Sequence, residues 1–166
     1  MKIKIKKLNG SAKIPTKAHD SDFCYDVYAT SCEEVEPGIW RYGLGFAYEI
    51  ERSSSRFMYM LPISSPDLAD IVSAKGVRLS LDFRPRSSVW KTGMVLSNCV
   101  GTLDEMYRGE VMAYFYEVVP GKEKYKVGDR IGQIKLGFTL PLEFAEEDIS
   151  PDTERGEGGF GSTGRD

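Results

Sequence analysis

Five stretches of this chain hold residues whose types and spacing could do chemistry, and none of them relies on a conventional nucleophile. There is one histidine, His19, and the cysteines Cys24, Cys32 and Cys99 have neither a CxxC nor a metal-ligand spacing. They read as free thiols of a reducing compartment, and a His-based triad or a zinc site would have little to build on. Pro85-Arg86-Ser87-Ser88 follows an apolar run and offers a guanidinium fork, two hydroxyls and exposed backbone N–H groups. That set suits phosphate oxygens, although the same residues would also make a helix N-cap beside a surface Arg. The stretch 96–110 reads as strand, turn, strand. In it Gly101 permits close approach of a ligand to the backbone, and free strand-edge groups could meet the polar edge of a pyrimidine. Asp104 could act as a general base for water, and Tyr107 could pack on a sugar ring.

The other three stretches say less by themselves. Asp26, within Cys24-Tyr25-Asp26-Val27-Tyr28-Ala29, is either a turn or edge residue or a ligand. Gln133, within Val127-Gly128-Asp129-Arg130-Ile131-Gly132-Gln133-Ile134, faces inward on a strand and needs a partner, which a bound phosphate or water would supply. Arg155-Gly-Glu-Gly-Gly-Phe-Gly-Ser-Thr-Gly lacks aliphatic residues and cannot bury a core, so it is expected to be mobile when empty. It nevertheless carries an Arg, an aromatic ring and two hydroxyls, which leaves a disordered tail and a functional one both open.

These side chains must be positioned mostly by strands. Short runs rich in Val, Ile, Tyr and Phe, broken by Gly, Pro, Asn and Asp, predict strands near 2–8, 24–29, 38–50, 56–61, 77–83, 94–96, 110–118 and 130–138. Such a pattern favours an all-β sandwich or barrel. The best helix candidate is short, with Ser65 as N-cap, Pro66 at the first position and Leu68, Ile71 and Val72 on one face. A chain of 166 residues fits one domain able to bury its own core. The net charge of −3 leaves no basic footprint for duplex nucleic acid, so any anion must be bound by a local cluster. Lys residues alternate with Ile3 and Ile5 at the start, which reads as a strand with one wet face rather than a signal peptide. No run approaches a membrane span, and the expected location is the cytoplasm, or the host cytoplasm for a viral source.

Taken in order, the five stretches resemble the five motifs of the trimeric dUTPase family. Tyr25-Asp26-Val27 is similar to motif one, Pro85-Arg86-Ser87-Ser88 to motif two and Asn98 to Glu110 to motif three, with its Gly-x-x-Asp-x-x-Tyr-x-Gly core. The Gly128 to Gln133 stretch is similar to motif four, and Arg155 to Gly164 to motif five. The resemblance implies a jelly-roll-like all-β protomer, three of which form a ring whose active sites take motifs from different chains. It divides the chain into a β domain, 1–150, with a probable insertion at 51–75, and a C-terminal lid, 151–166, that is flexible when empty and closes over the site.

The implied activity is magnesium-dependent hydrolysis of dUTP to dUMP and pyrophosphate, keeping uracil out of DNA. The resemblance makes Asp104 the residue that orients and deprotonates the attacking water. Tyr107 would pack on the deoxyribose and exclude a 2′-hydroxyl. Asn98 and backbone groups around Gly101 and Leu103 would read uracil and reject a C5 methyl. Arg86, Ser87, Ser88 and Gln133 would hold phosphates, Arg155, Gly161, Ser162 and Thr163 would clamp the distal ones, and Phe160 would stack over the base. Mg2+ would be held by the phosphates and waters, with Asp26 acting through that water.

Some positions depart from the family pattern. Phe23 and Cys24 stand where small residues are usual, Ser88 stands where Gly is usual, and 51–75 has no clear counterpart, which suggests a trimer surface or a site for an unknown protein partner. The nearest rival enzyme, dCTP deaminase, needs a Glu and an Arg where Tyr114 and Lys91 stand here. A rival of another class is a nucleotide-sensing regulatory binder; against it, every residue the chemistry requires is present.

Overall fold

The computed structural model describes residues 2–51 and 77–150, with Thr153 and Gly156. The strand expected near 56–61, the helix expected near 65–72, nearly all of the 51–75 segment and the motif-five residues Arg155, Phe160, Gly161, Ser162 and Thr163 lie outside them.

Among the described residues ten strands follow in chain order: β1 (Lys2–Lys7), β2 (Tyr25–Tyr28), β3 (Ser31–Glu36), β4 (Ile39–Gly43), β5 (Phe46–Glu51), β6 (Arg78–Pro85), β7 (Met94–Leu96), β8 (Gly101–Asp104), β9 (Met112–Glu117) and β10 (Arg130–Thr139). One 3₁₀ turn, Ser87–Thr92, separates β6 from β7. The strands form two four-stranded sheets, ordered β2-β10-β6-β8 and β3-β4-β9-β7, and a two-stranded ladder of β1 and β5. Every pairing between them is antiparallel. The all-β, jelly-roll-like architecture expected from the sequence is the one found.

Alternation builds the core. Along β6, Leu79, Leu81 and Phe83 are buried while their neighbours are not, and along β9, Ala113 and Phe115 do the same. The two inner faces meet edge to face at Phe83 and Phe115, whose rings lie 6.4 Å apart at 78°. Tyr42 extends the cluster, with its ring 5.6 Å from Phe115. Such a pair adds about 0.5–1.5 kcal/mol beyond the burial of its area.

Three departures from the sequence reading have physical causes. The run 38–50 is two strands, because Gly45 turns the chain at φ +69° and a Cβ there would press on Asn9 and Thr30. As a result β4 joins the β9 sheet while β5 pairs with β1. The acidic stretch of β3 was not expected as a strand. It is an edge strand whose Glu33, Glu34 and Glu36 lie towards solvent, where charge discourages further pairing. Finally, β7 and β9 do pair as a hairpin, but the connection between them carries β8 across to β6 in the other sheet.

Candidate active site

Asp26 lies on β2 at the edge of its sheet, yet its side chain is buried. Both carboxylate oxygens have partners on β10: Arg130 Nη1 donates to Oδ2 at 2.9 Å, and Gln133 Nε2 donates to Oδ1 at 3.2 Å. Residues 130 and 133 should point to opposite faces of a regular strand. They reach one carboxylate because the β10–β2 register shifts between Arg130 and Gly132, a bulge that re-aims the side chain. Gln133 thus has the inward partner its position demands, and that partner is Asp26. Arg130 belongs to the same stretch of sequence but carries no signal of this role, since only the bulge brings it to the acid.

Arg86 follows β6 in extended conformation and precedes the 3₁₀ turn, so this stretch is a helix N-terminus, though without a side-chain cap. Val89 N–H closes the turn on Arg86 O at 3.0 Å, and Thr92 Oγ1 donates to Val89 O at 2.6 Å. Gly93 ends it in the left-handed region at φ +66°, and a Cβ there would collide with the Val119 carbonyl. Ser87 is exposed and Ser88 half-buried. Arg86, Arg130, Tyr28, Tyr125, Gly128 and Asp129 line an open cleft of about 440 Å³. Arg86 brings a guanidinium fork that suits an anion to this cleft, where Arg130 is paired with Asp26 and Asp129 adds a carboxylate. Burial pushes the Tyr125 phenol up, against the pull of the Arg86 charge and the Ser88 hydroxyl.

Motif three sits on β8 and the loop after it. Gly101 pairs with Phe83, Leu103 with Leu81 and Asp104 with Ser80. Among the described residues β8 is the outer strand of its sheet, with no strand on its second edge. A Cβ on Gly101 would make only ordinary contacts at 3.5 Å or more, so the fold itself does not demand glycine. Asn98 is exposed near it, and Leu103 is half-buried against the core. Asp104 is exposed, and its carbonyl accepts the Tyr107 N–H at 3.0 Å and the Tyr48 hydroxyl at 2.5 Å. Tyr107 keeps 39% of its surface exposed, and its hydroxyl donates to Glu110 O at 2.9 Å. A side chain at position 109 would run into that hydroxyl, which explains the glycine two residues after the tyrosine. Glu110 Oε1 in turn accepts the Gly45 N–H at 2.8 Å and ties the loop to the β4–β5 corner. Tyr48 did not stand out as part of this site in the sequence, and Glu110 did so only as the last residue of the third motif, with no role of its own.

The chain brings the first, second and fourth motifs together and leaves the carboxylate of the third apart. Pro85, at the end of β6, pairs with Gly132, beside the cleft, whereas Asp104 pairs with Ser80 near its start. From Ser80 to Arg86 an extended chain covers roughly 20 Å at about 3.3 Å per residue.

A family model described as dUTPase matches residues 82–164. Deoxyuridine 5′-triphosphate nucleotidohydrolase of Alkaliphilus metalliredigens is 32% identical over 98% of this chain and 96% of its own. The chain belongs to the dUTPase family. The enzyme of the same name from Nautilia profundicola is 33% identical over 99% of this chain and 100% of its own. Among solved structures, a point mutant of the dUTPase of Staphylococcus bacteriophage 80alpha with dUpNHpp superposes with a TM-score of 0.66 at 22% identity, covering 98% of both chains. A point mutant of the dUTPase from phage phi11 of S. aureus, which coordinates a structural Mg(II) ion, superposes with a TM-score of 0.55 at 16% identity, covering 93% of this chain and 99% of its own. At those identities the likeness concerns the dUTPase fold.

Proposed function

We propose that this chain is a dUTP diphosphatase, hydrolysing dUTP to dUMP and pyrophosphate. The observation that carries the reading is the Asp104–Tyr107 loop. An exposed carboxylate and a half-exposed tyrosine ring are held by one shared carbonyl at the free edge of β8, in a family whose relatives along nearly the whole chain are deoxyuridine triphosphate nucleotidohydrolases.

In this mechanism the Asp104 carboxylate takes a proton from water as the water oxygen attacks the α-phosphorus. The bond from that phosphorus to its bridging oxygen breaks, and pyrophosphate leaves. Little covalent work falls to the protein, whose task is positioning and charge neutralisation. Arg86, Ser87, Ser88 and Gln133 hold phosphate oxygens, with Arg155, Gly161, Ser162 and Thr163 of the 151–166 lid on the distal ones. Asn98, Gly101 and Leu103 face the uracil from the open edge of β8, Phe160 covers it, and Tyr107 packs on the deoxyribose.

The donor set fits a magnesium ion that keeps its waters. Among the described residues no three His, Cys, Asp or Glu side chains gather to strip a cation of its shell. Asp26, held by Arg130 and Gln133, is a fixed carboxylate that would reach the ion through water. Bound with the triphosphate, the ion would neutralise charge on the phosphate oxygens.

The distance along β6 between Asp104 and Arg86 supports a shared site. A homotrimer in which one chain supplies Asp104 and Tyr107, and another the Arg86–Gln133 cleft, unites them without bending the sheet. The 51–75 segment is left for a trimer surface or a protein partner. The β domain, 1–150, and the lid remain one functional unit.

The test is pyrophosphate release with magnesium from dUTP, dCTP, dTTP and UTP. Release from dUTP alone is expected. No release from any of the four would overturn the proposal in favour of a nucleotide-sensing role, and ammonia from dCTP would point to a deaminase.

A further inference from the structure

Tyr48 stands on β5, in the two-stranded ladder, where it pairs with Ile5 of β1. Its side chain is buried in the core, 2% exposed, yet its hydroxyl leaves the core to reach the end of β8, 56 residues away in sequence. There it donates to the Asp104 carbonyl, the same oxygen that receives the Tyr107 N–H. A carbonyl oxygen has two lone pairs, and both are occupied. One donor comes from the loop itself and closes it. The other comes from a different sheet and ties the end of β8, where its pairing with β6 stops at Ser80, to β5. Nothing in local sequence requires a tyrosine here: an apolar residue would satisfy the alternation of β5 equally well.

We propose that Tyr48 is a positioning residue for the reaction, holding the Asp104 main chain so that the carboxylate meets the attacking water in one orientation. The inference rests on the reading of Asp104 as the base. The phenol suits the task because it is rigid, with its ring packed among core side chains, and because it is a donor at every working pH. Burial, and then the negative charge of Asp104, push its ionisation up to about 12. An aliphatic residue at this place would remove the tie to β5 and let the last residue of β8, beyond which the β6 pairing stops, tilt by a fraction of an ångström. Catalysis by a positioned base is sensitive to displacements of that order.

The experiment compares Tyr48→Phe, Asp104→Asn and the double variant in the full chain with magnesium and dUTP. Melting temperature and binding of a non-hydrolysable dUTP analogue are recorded for each. Tyr48→Phe removes one oxygen and keeps the ring. The expected result is a fall in kcat of about tenfold with KM within about twofold. In the Asp104→Asn background the same change should alter kcat by less than about twofold, because there is no longer a base to aim. A folded Tyr48→Phe protein with wild-type kcat would overturn the proposal. So would an equal loss of kcat in both backgrounds, which is the signature of a merely structural hydroxyl. If Asp104→Asn keeps full turnover, the underlying reading of Asp104 fails, and the positioning role with it. Should Tyr48→Phe melt too early to assay, Tyr48→Met, which fills the site without a donor, gives the same comparison at lower temperature.

Discussion

Gln133 and Asp26 face each other at one register position of the β10–β2 ladder, and the Gln133 amide donates to the Asp26 carboxylate at 3.2 Å. The second oxygen of that carboxylate belongs to Arg130. A buried acid in this setting depends on its partners, because an unpaired acceptor keeps the full cost of lost solvation. Arg130→Met should therefore lower folding stability by about 1–3 kcal/mol, nearer the lower end because the guanidinium is 40% exposed. Urea unfolding of the two proteins at neutral pH measures this. An unchanged midpoint would mean that the pair contributes nothing to the fold.

Asp104→Asn keeps the shape of the loop and its backbone hydrogen bonds while removing the proton acceptor. Turnover of dUTP should fall by roughly 10²–10⁴, the usual worth of a positioned acid–base group, with binding of a substrate analogue nearly unchanged. Full turnover in the variant would remove Asp104 from the mechanism.

Alkaline pH should unfold the protein by way of its buried phenols. The Tyr48 ionisation is raised from its ordinary 10.0 to about 12, first by burial, and Tyr42 and Tyr125 are raised by burial as well. The folded state thus favours the protonated form. Its advantage is complete below about pH 10, where the unfolded phenol is also neutral, and it is lost as pH rises through about 12. For Tyr48 the loss is on the order of 2–3 kcal/mol. Denaturant midpoints measured across that window should fall more gently in Tyr48→Phe than in the parent, and parallel curves would contradict the assignment.

Removing residues 155–166 should cut turnover of dUTP strongly while leaving the β domain folded. Circular dichroism and thermal melting report the fold, and pyrophosphate release reports the activity. A truncated chain that fails to fold would make the tail structural, and one with undiminished turnover would exclude it from the site.

The candidate site is legible in the sequence because it lies in residue types at fixed short spacings, as in Arg86-Ser87-Ser88, the Gly101–Asp104–Tyr107–Gly109 series and Gln133. The structure supplies physical reasons for several of them, such as the space that only a glycine leaves beside the Tyr107 hydroxyl. The strands with clean alternation, β6 and β9, were equally legible. The polar edge strand β3 was not, because its exposed Glu side chains erase the apolar signal, and neither was the break at Gly45.

The sequence by itself determined the all-β class, the donor groups and their order along the chain, since side-chain alternation and motif spacing are local properties. Only the tertiary structure decided who meets whom. The bulge at Arg130–Gly132 turns two residues of opposite parity onto Asp26. The connection after β7 sends β8 to the other sheet. Tyr48 reaches Asp104 across 56 residues, and Asp104 lies at the far end of β6 from Arg86. Each of these depends on register and sheet order, which are set by the packing of distant segments against one another and leave no trace in the spacing of neighbouring residues.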